Sequence, residues 1–200
     1  MMKIYLSMVL AAILVTGSAV AQHSSQKATI GVKAGLNIYN ISNDNGANYA
    51  AKPGFNAGLL GHVHLVPHWA LQPELVYSVQ GAKGSGASAE IKNNLHYINV
   101  PVLIQYMFDN GFRLQAGPQV GFLVNAQQKI GSEASKDIKD SYSSADLGLG
   151  MGISYVHPST GFGIDLRYNH GLTDINKNST VKSTNRGGQI GIFYLFSHQH

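Results

Sequence analysis

His62 and His64 stand one residue apart in GHVHL, a spacing that on an extended strand puts both imidazoles on one face, where they could share a zinc ion. Zinc held by protein side chains needs at least a third ligand, and the sequence points to none. Interior histidines hydrogen-bonded to their neighbours are therefore expected, with no metal and no cofactor. His198 and His200 are expected to be solvated. Gly148-Leu-Gly150-Met-Gly152 looks like a phosphate-cradling loop, but such a loop has to open a helix, and these glycines alternate strictly with Leu147, Leu149 and Met151. Acyl transfer would need Ser, His and Asp brought together. His96, His170, Ser143 and Asp174 are of the right types, yet loops are ordinarily rich in Ser and Asp, and no catalytic residue and no enzyme is expected. What remains is six charges set among apolar residues: Lys33, Glu74, Arg113, Asp146, Asp165 and Arg167.

The elements that position them are legible in GFRLQAGPQVGFLVNA, residues 111–126. Phe112, Leu114, Ala116, Pro118, Val120, Phe122, Val124 and Ala126 form one wholly apolar set. Arg113, Gln115, Gly117, Gln119, Gly121 and Asn125 alternate with them, broken only by Leu123. Alternation of period two marks a strand with unlike faces. It recurs over residues 30–38, 55–65, 71–79, 96–106, 145–155, 162–168 and 190–196, which predicts eight strands of about 9 to 15 residues. Connections at 67–69, 108–111 and 157–161 are short and carry turn residues; those at 40–52, 81–94, 127–143 and 173–184 are long and polar. Long connections on one side and tight ones on the other give an antiparallel up-and-down order, with both termini on the tight-turn side.

The six charges all fall on the face that carries the glutamines and glycines. The other face has no Lys, Arg, Asp or Glu in any strand core, and aromatics gather towards the strand ends. A water-soluble barrel would invert this distribution; a barrel in lipid needs it. Charged residues are 12% of the chain, about half the usual fraction, and the excess of Lys+Arg 14 over Asp+Glu 10 is too small and scattered for nucleic acid. The expected fold is an all-β, eight-stranded transmembrane β-barrel. Cysteine is absent, so disulfides and thiolate metal sites are excluded. Lys3, the apolar run 4–15 and the small residues Ala19 and Ala21 form a signal peptide, so residues 1–21 are expected to be removed, 22–196 to form the barrel and 197–200 a short periplasmic tail.

The blocks KPGFNAGLLGHVHL, LQPELVYSVQGAK, YINVPVLIQYMF, FRLQAGPQVGFL, FGIDLRYNHGLTDI and NRGGQIGIFYLF together resemble the outer membrane β-barrel domain family, whose members are often labelled porin family or PorT-type proteins. The resemblance covers residues 29–196. It implies a Gram-negative outer membrane, no agreed activity, and the alternative of a secretion accessory role. Gln189, Gly191, Tyr194 and Phe196 in the last strand look like the signal read by the barrel assembly machinery, docking by strand addition.

Eight strands enclose a lumen that side chains can fill. Three cations and three anions pointing into it predict an ion-paired plug, since an isolated buried charge is very costly. Asp165 and Arg167 would form its heart, with Gln72, Gln105, Gln115, Gln119 and Asn125 extending it. The expected protein is a monomer with a structural role or a binding role through its long loops; a narrow porin is the alternative. Loop lysines and arginines, among them Lys83, Lys92, Lys129 and Arg186, could meet the phosphates of lipopolysaccharide.

Overall fold

The alternating segments form strands that pair edge to edge until the sheet meets itself. In the computed structural model, which describes residues 28–44, 49–85, 89–177 and 180–196, they are β1 (Ala28–Asn43), β2 (Ala50–Val66), β3 (Trp69–Ser85), β4 (Glu90–Met107), β5 (Phe112–Ile130), β7 (Ala145–Val156), β8 (Phe162–Gly171) and β9 (Ser183–Leu195). A two-residue strand, β6 (Lys136–Asp137), pairs only with the end of β5. Every other strand is antiparallel to its chain neighbour, and β9 returns to β1 through Ala34 opposite Ile192 and Leu36 opposite Ile190. The ring of eight strands has no free edge, so backbone pairing continues from strand to strand around it, as a span through lipid requires. The signal peptide and the tail 197–200 lie outside the described residues.

Burial follows the alternation with the sign that lipid demands. Ile190 is 62% exposed while its neighbour Gln189 is 7% exposed, and Lys33, Glu74, Gln72 and Asn37 are buried where Ile30, Leu36 and Leu59 are not. Outward aromatics form two belts. One, at the tight-turn end, joins Trp69 to Tyr106, Phe112 to Tyr155, and Phe162 through Tyr194 to Phe196; the other includes Phe55 against Tyr77. Amphipathic rings of this kind suit the boundary between hydrocarbon and headgroups.

The tight turns are fixed locally. Gly161 has φ +74°, a left-handed conformation that disfavours any side chain, and its N–H donates to His157 O at 3.2 Å as the chain reverses into β8. At Gly111, with φ +90°, an added Cβ would lie 2.4 Å from Val156 O.

The strands run 10 to 19 residues, longer than expected, and the polar connections are correspondingly shorter. Ladder pairing carries on past the apolar segments: Asn40 to Asn43 pair with Arg186 to Ser183, and Ile91 to Asn94 pair with Ile130 to Gln127. Polar side chains do not end a strand while the backbone partner continues. A second departure lies in β5. His96 faces Asn125 but Tyr97 faces Leu123, so Val124 is an extra residue, a bulge that resets the alternation. Ala126, expected on the lipid face, is consequently fully buried opposite Leu95, and Asn125, expected inside, lies opposite the outward His96.

Candidate functional site in the barrel lumen

The lumen is filled in layers. Near the tight turns Leu60, Val156, Phe193 and Leu195 pack as an apolar floor. Gly163 makes room for it, since a Cβ there would meet the Phe193 ring at 2.3 Å.

Above the floor the charged residues converge. β3 and β8 stand on opposite sides of the ring, and Arg167 reaches across the full diameter to grip Glu74 with both arms, Nη1 to Oε2 and Nη2 to Oε1, each at 2.9 Å. This two-pronged geometry is the strongest that a guanidinium and a carboxylate can adopt. Nη2 also donates to Asp165 Oδ2 at 3.2 Å. From β1, Lys33 Nζ donates to Glu74 Oε2 at 3.2 Å and Asp165 Oδ1 at 3.5 Å. From β5, opposite β1, Gln115 Nε2 donates to Asp165 Oδ2, while Gln115 Oε1 accepts from Gln105 Nε2 at 2.8 Å. Gln72 donates to Glu74 Oε1 at 2.7 Å. Two cations and two anions, all less than 7% exposed, thus form a neutral cross in which each carboxylate has several donors. Such satisfaction is what makes buried charge tolerable.

The expected network of six charges contracts to these four. Arg113 sits lower, its Nη1 3.4 Å from His62 Nδ1. Asp146 sits near the loop end, where Asn185 Nδ2 and Thr173 Oγ1 donate to it at 3.0 and 2.9 Å. Both face inward as expected; neither is at the height of the cross. Gln119 lines the lumen with Tyr39 and Asp146.

Two further layers close the loop end. Tyr39 OH accepts from Asn169 at 2.9 Å and Gln189 at 3.0 Å, and Asn37 donates to Ser78 at 3.0 Å. Over them lies an apolar roof of Ile41, Ala82, Leu95, Tyr97, Leu123, Ala126, Tyr142 and Ile175. A pocket between these layers, lined by Tyr39, Asp146 and Asn185 among others, measures about 10 Å³, space for about one water. Tyr142 and Ile175 come from two of the four long connections, 127–143 and 173–184, which a bridge between Tyr142 and Asn176 and a 2.7 Å bond from Ser143 N to Ile175 O clip together. The sequence reading missed this roof. Its signal was present as lone large apolar residues in otherwise polar loops.

The other candidates disperse. His62 and His64 meet edge to face at 4.7 Å, and among the described residues no third His, Cys, Asp or Glu completes a metal-binding group with them. His96 Nδ1 lies 2.6 Å from Tyr77 OH and His170 Nδ1 3.4 Å from Tyr168 OH, both on the outer face. Ser143 Oγ donates to the backbone oxygen of Asp174. Gly148, Gly150 and Gly152 are in β7, with no helix after them. In β9, Gln189 is tied to Tyr39, Gly191 faces Gly35, and Tyr194 meets Phe196, just past the strand, edge to face at 5.3 Å.

A closed eight-stranded ring with hydrocarbon outside and ion pairs inside defines an integral outer-membrane β-barrel. The sequence profile of the outer membrane protein beta-barrel domain matches residues 20–177, and the chain belongs to that family, which places it in the outer membrane of a Gram-negative bacterium. Solved structures share the fold. Neisserial surface protein A is 16% identical with a TM-score of 0.53, and Ail, the attachment invasion locus protein of Yersinia pestis, is 16% identical with a TM-score of 0.52; each comparison covers 85% of this chain and 99% of the other. Ail in complex with the heparin analogue sucrose octasulfate gives 16% identity, a TM-score of 0.51 and the same coverage. No curated protein sequence matches the chain.

Proposed function

We propose that the protein is a non-conducting, monomeric barrel that acts at the cell surface through the strand extensions and connections at its long-loop end. The observation that supports this reading is the layering of side chains in the lumen among the described residues: floor, charged cross, tyrosine layer and roof. Reconstituted in planar bilayers, the protein should give no stepwise conductance above background, and discrete reproducible openings would restore the narrow porin. The tight-turn end and both termini face the periplasm in this arrangement, and β9 serves as the strand recognised during assembly. No catalytic role is assigned.

The proposed surface partner is lipopolysaccharide. Lys83 lies directly opposite Lys92, and Lys92 directly opposite Lys129, so three lysines form a ladder across β3, β4 and β5 beyond the apolar segments. Like charges placed opposite one another destabilise a sheet. Glu90 offsets part of the repulsion, 3.0 Å from Lys92 and 3.5 Å from Lys83, and the hydrogen bond from Lys92 holds its carboxyl below the ordinary range. Phosphates at headgroup height would offset the remainder. The anionic heparin analogue bound to Ail, a barrel of the same fold, is consistent with this chemistry. Replacing Lys83, Lys92 and Lys129 by Gln should weaken lipopolysaccharide binding to the purified barrel by roughly tenfold or more, at about 1 kcal/mol per lysine before the Glu90 offset. An unchanged affinity would remove the ladder from the reading.

A further inference from the structure

Below the floor, the described residues leave a cavity at the tight-turn mouth of the barrel. It measures about 220 Å³ and is lined by His64, His68, Asp109 and Arg113, together with Phe108 and Pro158. Arg113 is 5% exposed, yet it stands outside the charged cross, and its hydrogen bonding among the described residues is the single 3.4 Å approach to His62 Nδ1. A guanidinium carries five N–H donors, and Arg113 lines the cavity with no carboxylate among the described residues paired to it. Asp109, the carboxylate on the cavity wall, is 96% exposed and lies 3.8 Å from His68 instead.

We propose that this mouth is a binding site for a carboxylate, anchored by Arg113. The planar fork of a guanidinium matches the two oxygens of a carboxylate. Charge favours the same ligand over phosphate: one carboxylate balances one guanidinium, whereas a dianion would leave excess negative charge beside Asp109. The volume is below the roughly 300–1,000 Å³ of pockets that enclose a drug-sized molecule, so the site takes a small acid or the end of a peptide entering from outside. Arg113 is thereby given a partner that the four-charge cross does not supply.

The full-length barrel in detergent, titrated with acetyl-alanyl-alanine, its C-terminal amide, acetate and inorganic phosphate and followed by calorimetry, tests the assignment. The dipeptide acid should bind saturably, the amide about tenfold or more weakly, and R113Q should bind the acid about tenfold or more weakly at unchanged unheated gel mobility. R113K, which keeps the charge but loses the fork, provides the comparison should R113Q not fold, and it too should lose affinity. Tighter binding of the dipeptide than of acetate identifies a peptide terminus as the ligand, and equal binding identifies a free small acid. Removing residues 197–200 should leave the affinity unchanged; a rise of about tenfold or more would assign Arg113 to that segment and overturn the proposal. Equal binding by wild type and both variants, by acid and amide, or stronger binding of phosphate, would also overturn it.

Discussion

Arg167→Ala should destabilise the barrel by about 3–5 kcal/mol, the cost of removing one partner from a buried ion pair. Glu74 would lose two bonds of 2.9 Å and Asp165 one of 3.2 Å, leaving two buried carboxylates to share Lys33. The fall should appear as a lower urea midpoint of the refolded protein and as loss of the compact band in unheated gel samples. The double variant E74Q/R167M should recover much of the loss. It leaves Lys33 and Asp165 paired at 3.5 Å, so the cross is neutral again although three of its four ion pairs are gone. Such non-additivity is expected of groups in one network. A single variant with a wild-type midpoint, or a double variant equal to the sum of its singles, would show that the cross does not hold the barrel together.

Ile190→Arg addresses the opposite face. Ile190 is 62% exposed, pairs with Leu36 on β1 and Leu166 on β8, and lies between the two aromatic belts. A cation at mid-depth on the lipid face of a barrel costs about 2–4 kcal/mol. Refolding into lipid vesicles should lose about that much stability, while Ile190→Leu should be near neutral. A neutral arginine would mean that water, not hydrocarbon, meets this surface.

Much of this architecture was legible in the sequence because lipid and lumen impose opposite chemistry on alternate residues. The pairs Ile190 and Gln189, or Leu166 and Arg167, need only a parity to be placed. Height along the barrel is not a parity. Whether Arg113 and Asp146 reach the plane of Glu74 depends on strand tilt and register, which follow from how the ring closes. A hint was available: Arg113 comes directly after a turn and Asp146 directly after a loop, whereas Lys33, Glu74 and Arg167 each lie several residues in from the tight-turn end. The bulge at Val124 left no compositional mark, since Asn125 and Ala126 suit either face of a strand end. Strand extension past residues 40 and 127 was equally hidden, because outside the bilayer the ladder no longer needs apolar side chains.

Because Tyr142 and Ile175 are tucked beneath the surface, the connections that carry them are tethered to the wall in a set shape. With the long-loop end outward, as proposed, an antibody raised against intact cells would meet a conformational epitope already organised for it, with little ordering cost at encounter. Antisera against the same segments as free peptides would recognise something the folded protein does not display. Substitution of the outward side chains of those segments should then leave the scaffold beneath undisturbed.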